Sequence, residues 1–281
     1  DWFEGQVIDK AWNLGFKRYF PTVRRIGYRA FESFPFYLCS FPIAIERESG
    51  VIPDTVAVQG EGTIATVREF LPDLDVMVIP AFRSQDVWDH RTAAMPAEFS
   101  VLITLPISPH SSLRIIHRLI GVTASLLAAG RAIRLVVKPH PTMSVERLRE
   151  GLEVELPDAL VFTEEKSFPR LLERVHVLIT EASSSCLEAL ACGVPVIIIE
   201  NEEGLTFDPV PKTIPTDLYR KTRSQAQLLG ALTHYRTASR DATRRQERQG
   251  QRIKELYFEP ITREGIDRFM DINTRREAPN A

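Results

Sequence analysis

The runs FSVLITL (99–105), IRLVV (133–137), HVLIT (176–180) and PVIII (195–199) decide the fold of this chain. Each is a short and almost uninterrupted stretch of apolar residues, which is typical of a strand buried on both faces. A further, shorter strand is predicted at 159–162. In chain order, helical patterns follow the first four of these five strands, at 111–129, 144–152, 167–175 and 183–191. This alternation predicts a doubly wound, Rossmann-like parallel sheet.

The length of the chain and the change in its sequence pattern near residue 95 predict more than one domain. At about 150 residues per domain, 281 residues correspond to roughly two domains. We predict a partial β/α domain over 1–95, the Rossmann-like domain over 96–235, and C-terminal helices over 236–281 that pack back on the N-terminal part. The first region holds too few strands for a complete second Rossmann domain. Because the chain begins at Asp1 and not at a methionine, we expect either a processed N-terminus or a fragment of a longer protein.

Composition excludes several classes of protein. Lys and Arg number 35 and Asp and Glu 37, so the net charge of -2 gives no global attraction to nucleic acid. No apolar run approaches the roughly 18 residues that a membrane span needs. Three cysteines without a CxxC pair argue against a disulfide framework or structural zinc and favour a reducing compartment, the cytoplasm.

The residues after the predicted strands are candidates for binding, because ligands of parallel sheets bind at the carboxyl ends of the strands. Lys138-Pro139-His140-Pro141 follows the strand IRLVV, where two prolines fix the backbone around an imidazole. Such a histidine can donate a hydrogen bond or a proton to a phosphate oxygen, and Lys138 adds positive charge. Ser108, after FSVLITL, and Glu164, after the short strand, are further binding candidates at this edge.

Three serines, Ser183, Ser184 and Ser185, begin the helix that follows HVLIT. A helix amino terminus offers free N–H groups and the positive end of the helix dipole, so this segment predicts a phosphate cradle. Glu188 lies one turn further along the same helix and is predicted to bind ribose hydroxyls. The P-loop, nucleophile-elbow, HExxH and GxGxxG patterns are missing from the sequence.

At these residues the sequence resembles glycosyltransferases of the GT-B fold, which have two Rossmann-like domains. The run EASSSCLEALACGVPV (181–196) is similar to the pattern of the family's donor-binding domain. The His-Pro motif paired with the serine motif resembles bacterial sialyltransferases and Kdo transferases of surface polysaccharides. RIGYRAF (25–31) and PDTVAVQG (53–60) are similar to the end of the acceptor domain.

The resemblance implies a metal-independent transfer of a sugar, with a CMP-linked acidic sugar as favoured donor and a glycan as acceptor. His140 would assist departure of the phosphate, which Ser184 and Ser185 would hold with Lys138, Pro141, Ser183 and Ser108 nearby. The general base is a carboxylate in a motif whose nearest match here is Glu61-Gly62, with Gly60 in place of the expected acid. No cofactor, metal or nucleic acid is implied.

Other functions fit the same sequence. A UDP-sugar 2-epimerase or a polyol-phosphate transferase would keep the fold and change the reaction. A nucleotide-binding module without catalysis would explain an incomplete acceptor domain. The basic helix from Arg244 to Lys254 is a candidate for peripheral contact with the inner membrane.

Overall fold

The computed structural model describes residues 3–32, 37–90, 96–152, 154–201 and 208–270. The chain forms two compact units. We call Asp1–Trp88 together with Ile253–Ala281 the N-terminal unit, and Asp89–Arg252 the central unit.

The first third of the chain holds mostly short elements. They are α1 (Val7–Tyr19), β1 (Ile26–Arg29), α2 (Ala44–Ser49), β2 (Thr55–Val58), α3 (Ile64–Val67), β3 (Val76–Val78) and α4 (Asp86–Asp89). The three strands pair in parallel in the order β1-β2-β3. Their core is apolar and includes Phe3, Ile52, Val56, Val58, Val67, Leu71 and Leu74.

The rest of the chain is more regular. Its elements are β4 (Ser100–Thr104), α5 (Pro109–Ala128), β5 (Arg134–Lys138), α6 (Val145–Glu150), β6 (Leu160–Phe162), α7 (Phe168–Leu172), β7 (Val177–Thr180), α8 (Ser185–Ala191), β8 (Val196–Ile199), β9 (Tyr219–Thr222), α9 (Gln225–Arg236), α10 (Arg240–Tyr257) and α11 (Arg263–Phe269).

The sheet of the central unit has six parallel strands in the order β6-β5-β4-β7-β8-β9. Strands β4, β7 and β8 are almost completely buried, because they lie in the middle of the sheet with helices on its faces. The apolar core gathers residues of β4, β5, β7 and β8 with the inner sides of α5 and α9. The predicted doubly wound parallel sheet is therefore confirmed, and all five predicted strands form.

Local signals place several helix ends correctly. Ser144 caps α6, since its side chain accepts a hydrogen bond from the N–H of Arg147. Gly130 and Gly193, which follow α5 and α8, both have positive φ angles, of 68° and 75°. Only glycine adopts that conformation at low cost, so each ends its helix where the sequence predicts.

Three elements depart from prediction. The sequence does not predict β9, because YRKT is polar, and this strand forms at the edge of the sheet with two side chains exposed. The sequence also predicts a helix over 7–14, and α1 extends past residue 14 to Tyr19. A helix is predicted over 63–70 as well; the structure instead has a 3-10 turn, Glu61–Thr63, followed by the four-residue α3. The last helix is predicted over 264–272, and its predicted end at 271–272 lies outside the described residues.

The C-terminal helices divide between the two units. The boundary falls within α10, so that 240–252 belong to the central unit and 253–281 to the N-terminal unit. In the central unit Gly250 lies against the turn after α8, where a Cβ would come within 2.7 Å of the Gly193 nitrogen. Arg245 pairs with Asp217 at 2.9 Å.

Lys254 differs from the other basic residues of the predicted basic helix, because it does not face solvent. Its side chain is buried, and its ammonium lies 5.6 Å from the centroid of the Trp88 ring. Arg244, Arg245, Arg248 and Arg252 remain exposed. No helix within the described ranges combines the length and the apolar character that crossing a bilayer requires.

We expect Gly250→Ala to lower the free energy of unfolding by about 1–3 kcal/mol, because the new methyl group would meet backbone atoms that cannot rotate away. Gly230→Ala, in the interior of α9, is the matched control, since nothing lies within 4 Å of its Cβ position. It should gain about 0.5–1 kcal/mol from helix propensity. Urea unfolding measures both; equal effects of the two substitutions would contradict the close packing of α10 on α8.

Candidate functional site

The strand order of the central unit contains a point where the direction of winding reverses. From β4 the chain continues to β5 and β6 on one side, and β7, β8 and β9 lie on the other. The direction of winding therefore reverses between β4 and β7. At such a switch point the connections leave in opposite directions and open a ligand crevice outside the carboxyl ends of the strands.

Polar side chains form a row across this edge. Thr104, the last residue of β4, is the register partner of Lys138, the last residue of β5. On its other side the Thr104 hydroxyl lies 3.3 Å from the Ser185 hydroxyl, and Ser185 lies 2.9 Å from the Ser183 hydroxyl. Adjacent parallel strands are about 4.8 Å apart. The structure thus brings the lysine of the first motif and the serines of the second together through Thr104, a residue that sequence reasoning missed.

His140 lies two residues beyond Lys138 and is held by its own turn. Its Nδ1 accepts a hydrogen bond from the Thr142 N–H at 3.3 Å and lies 2.7 Å from the Thr142 hydroxyl. A backbone N–H can only donate, so we assign Nδ1 as the acceptor and Nε2 as the protonated nitrogen of the neutral ring. The imidazole is half-buried and presents a donor at Nε2.

Lys138 is also positioned by a neighbouring loop. Its ammonium donates to the backbone carbonyl of Glu165 at 2.6 Å, which ties the end of β5 to the loop after β6. Burial lowers the pKa of Lys138, while the nearby Glu165 carboxylate opposes that shift. One ammonium proton is used in this contact, which leaves two for an anion.

The serine segment differs from the expected cradle of free N–H groups. The N–H groups of Cys186 and Leu187 donate to the carbonyls of Ser183 and Ser184, and the N–H of Ser185 donates to the Ser183 hydroxyl. These donors are therefore already used within the turn. The Ser184 hydroxyl makes no capping bond and has no hydrogen-bond partner within the described ranges. Side-chain hydroxyls, more than backbone groups, are what this segment offers to a phosphate.

Arg114 is a second residue that the sequence did not single out. It projects from α5 and donates to Glu181, directly after β7, at 2.8 Å. Its Nε is buried and has no partner among the residues that the structure describes. A buried N–H without a partner costs free energy. No motif signals this arginine, because only the winding of the sheet places α5 beside β7.

The remaining predicted residues of this unit have varied surroundings. Ser108 is the N-cap of α5 and accepts from the Ser111 N–H at 3.3 Å. Pro141 and Glu164 are exposed, and Glu188 is half-buried on α8. Their predicted binding roles stay predictions.

The N-terminal unit has a polar cluster of its own at the carboxyl ends of β1 and β2. Glu61 is exposed at the start of the 3-10 turn after β2. At the other end of that turn the Thr63 hydroxyl donates to Glu32 at 2.7 Å. Glu32 follows β1 and is buried, so this hydrogen bond links the two loops.

Burial perturbs both charged members of this cluster. It raises the pKa of Glu32 to about 7, against the opposing effects of hydrogen bonds from Thr63 and Thr66 and of the Arg29 charge. It lowers the pKa of Arg29 to about 10, against the opposing charge of Glu32. One Glu32 oxygen and two Arg29 nitrogens are buried and have no partner within the described part of the chain. Groups perturbed in this way are frequent at functional sites.

Two cavities of the central unit reach the other edge of its sheet. One of about 200 Å³ includes His176 and Pro195, and one of about 470 Å³ includes Ser100 and Arg134. These four residues stand at the starts of strands, at the edge opposite the polar row. We assign the site to the carboxyl edge because the polar groups converge there. Within the described ranges no group of three His, Cys, Asp or Glu residues could hold a metal ion.

Comparison with solved structures shows the fold. No protein-family model and no curated protein matches the sequence. MnaA of S. aureus, solved with UDP, has a TM-score of 0.60 at 12% identity, over 92% of this chain and 71% of that one. The spinosyn forosaminyltransferase SpnP has a TM-score of 0.56 at 16% identity, over 90% and 70%.

The calicheamicin glycosyltransferase CalG4 has a TM-score of 0.52 at 14% identity, over 84% of this chain. The chain spans only 56% of the length of that enzyme. The architecture is thus mixed α/β of the GT-B type, with parallel strands in two sheets.

Glu32→Gln tests the buried carboxyl group. The raised pKa means that the folded state binds the proton of Glu32 more tightly than the unfolded state does, so its contribution to stability is complete below pH 4.5 and is lost as the pH rises to about 7. The variant stays neutral and lacks this loss, which corresponds to about 3 kcal/mol. Urea unfolding from pH 4 to 8 should therefore show a steeper fall for wild type than for Glu32→Gln. Glu69→Gln, at an exposed carboxylate, should keep the wild-type slope; a Glu32→Gln curve parallel to wild type would contradict the assignment.

Proposed function

We propose that this chain is a glycosyltransferase that moves a sugar from a nucleotide-sugar donor to a hydroxyl group of a glycan. The observation that carries the proposal is the polar row of Lys138, Thr104 and Ser185 at the switch point of the central sheet. It supplies a cation and hydroxyl donors at the edge where GT-B-like sheets open their crevice. The likeness to SpnP and CalG4, both named as transferases of sugars, supports the same reaction.

The donor side of the proposed reaction requires stabilisation of a leaving phosphate. The bond between the anomeric carbon and the phosphate oxygen breaks, and its electron pair stays on that oxygen. Lys138 and the hydroxyl of Ser184 face the growing negative charge, and His140 donates a hydrogen bond from Nε2. Donors held in place before the reaction stabilise such a transition state without reorganisation. Arg114, which is half-buried and paired with Glu181, adds a positive charge next to the segment that carries the serines.

The acceptor side requires a base. The acceptor oxygen bonds to the anomeric carbon, and we propose that its proton passes to the Glu61 carboxylate. Glu61 is exposed, as a group that meets a substrate must be, whereas Glu32 is buried. Through Thr63, Glu32 anchors the turn that carries Glu61 and is a positioning residue. The proposed acceptor is a surface polysaccharide assembled from the cytoplasmic side.

The identity of the donor follows from two different considerations. The pairing of the His-Pro and serine motifs supports a CMP-linked acidic sugar of the sialyl or Kdo type. MnaA, which resembles this chain in fold, was solved with UDP, and this supports a uridine nucleotide. We propose the CMP-linked donor and treat the UDP-linked donor as the second candidate.

Nucleotide titration separates these donors and tests the site. We expect CMP to bind more tightly than UDP, and His140→Ala and Ser184→Ala each to weaken binding about tenfold, since a hydrogen bond to a charged group contributes about 1.5–3 kcal/mol. His117→Ala and Ser125→Ala, both on exposed parts of α5, are the matched controls and should bind as wild type. Calorimetry gives the dissociation constants. Unchanged affinity in both site variants would overturn the assignment of the phosphate site.

Turnover separates the proposed reaction from the other functions that fit the fold. Glu61→Gln should reduce transfer by about 10²–10⁴-fold and leave nucleotide affinity unchanged, because a general base acts only in the chemical step. Glu48→Gln, at an exposed carboxylate of α2, should transfer as wild type. Mass spectrometry of products from CMP-, CDP- and UDP-linked donors supplies the rates. An epimerised sugar, a transferred polyol phosphate, or binding without turnover would each replace the proposal by the corresponding alternative.

A further inference from the structure

One face of β5 and β6 is only partly covered by the described part of the chain. Leu135 and Val137 of β5 point into the apolar core of the central unit, so Arg134 and Val136 point to the opposite face of the sheet. On that face Val136 is half-buried, and its register partner on β6, Val161, is 42% exposed. Parallel sheets usually have helices over both faces. This side of the sheet is therefore open near its edge strand.

A cavity of about 470 Å³ lies on this open part of the sheet. It is lined by residues of β4, β5 and α7 and by the chain after β6. Its apolar walls include Val136 of β5, Leu171 of α7 and Val175. Five helical residues, the length of α7, rise only about 7.5 Å, whereas the five residues of β5 span about 16 Å, so α7 is too short to cover the strand. Ligand pockets measure about 300–1,000 Å³, and this cavity therefore suits a small organic molecule.

Positive charge exceeds negative charge in the lining of this cavity. The charged residues that line it are Arg134, Arg170, Arg174, Glu98 and Glu165. The Glu165 carboxylate is already engaged, since it accepts a hydrogen bond from the Ser167 N–H at 2.9 Å. This bond lowers the pKa of Glu165, and the charge of Arg170 lowers it further. With Arg170 and Glu165 acting on each other, two arginines remain with one carboxylate, Glu98.

Arg134 and Arg174 are the two remaining cations. Neither guanidinium has a hydrogen-bond or ion-pair partner among the residues that the structure describes. Arg134 is the register partner of Ser100 on β4. Arg174 comes two residues before His176, whose N–H donates to the Ser100 carbonyl from the other side of β4. Neighbouring strands are about 4.8 Å apart, so these two long side chains approach one place from both sides. Guanidinium groups bind phosphate and carboxylate through paired hydrogen bonds.

We propose that this cavity binds a small organic anion whose phosphate or carboxylate group is held by Arg134 and Arg174. Its apolar body lies against Val136, Leu171 and Val175. The excess of positive charge favours an anion, and the apolar walls favour an organic body over an inorganic ion. Arg134 stands at the start of its strand, whereas the polar row of the donor site stands at the strand ends. The inference does not depend on the donor site, so its failure would leave the proposed reaction intact.

Titration of the full chain with anilinonaphthalene sulfonate (ANS), an apolar ring system with one anionic group, tests the proposal by fluorescence. We expect Arg134→Gln with Arg174→Gln to weaken ANS binding about tenfold or more, because the sulfonate loses its charged hydrogen-bond donors. The same variant should bind uncharged phenylnaphthylamine, the ring system without the sulfonate, as wild type does. Arg244→Gln with Arg248→Gln on α10 removes equal charge at exposed positions outside the cavity and should leave ANS affinity unchanged.

Several outcomes would count against the proposal. Equal ANS affinity in wild type and the variant of Arg134 and Arg174, or an equal loss in the α10 variant, would overturn it. Loss of ANS binding in Trp12→Ser would assign the dye to the exposed apolar side chains of α1, and displacement by CMP would assign it to the donor site; either result overturns the proposal.

Competition identifies the anionic group. Displacement of ANS by phenyl phosphate supports a phosphate ligand, and displacement by benzoate supports a carboxylate ligand. Displacement by neither compound would contradict the proposal. Melting curves establish that the variant of Arg134 and Arg174 remains folded, which these exposed positions should allow.

Discussion

The parallel pairing of β4 with β7 is the constraint on which the rest of this molecule depends. These two strands are neighbours in the sheet but are separated in the chain by β5 and β6, so the winding reverses between them. The reversal leaves the loops after both strands without a covering helix and turns them toward one crevice. Thr104 and Ser185 meet there across 81 residues of sequence. This pairing brings the motif after β5 and the serines after β7 to one edge of the sheet.

The core and the carboxyl edges use polar groups in opposite ways. The core of the central unit is apolar, and its strands β4, β7 and β8 are buried. At the edges, buried atoms of Arg114, Arg29 and Glu32 lack partners within the described residues. Leaving such groups unpaired costs about 1–3 kcal/mol each, so the fold gives up stability at these places. Binding and catalytic sites are often less stable in this way, because the hydrogen-bond partners of their unpaired groups are supplied by the substrate.

Helix α1 shows a different arrangement. Its buried Asp9 accepts hydrogen bonds from the N–H groups of Glu4 and Gln6, and its apolar side chains face outward. The unpaired polar atoms at the sheet edges lack a hydrogen-bond partner within the described residues, whereas the apolar side chains of α1 are exposed to water.

The sequence by itself determined the class of fold and the succession of strands and helices along the chain, because apolar runs of strand length that alternate with helices are buried inside a parallel sheet. It also located Lys138, His140 and the serines, because prolines and small hydroxyl residues have local effects on the backbone. Only the tertiary structure places the Thr104 hydroxyl beside Ser185 and lets Arg114 donate to Glu181. It also buries Glu32 and provides its hydrogen bond from Thr63. It also formed β9 from a polar segment and turned the apolar side of α1 outward. These outcomes depend on which strands pair and which faces are covered. Hydrophobic periodicity is a local pattern along the chain, so it does not predict either of them.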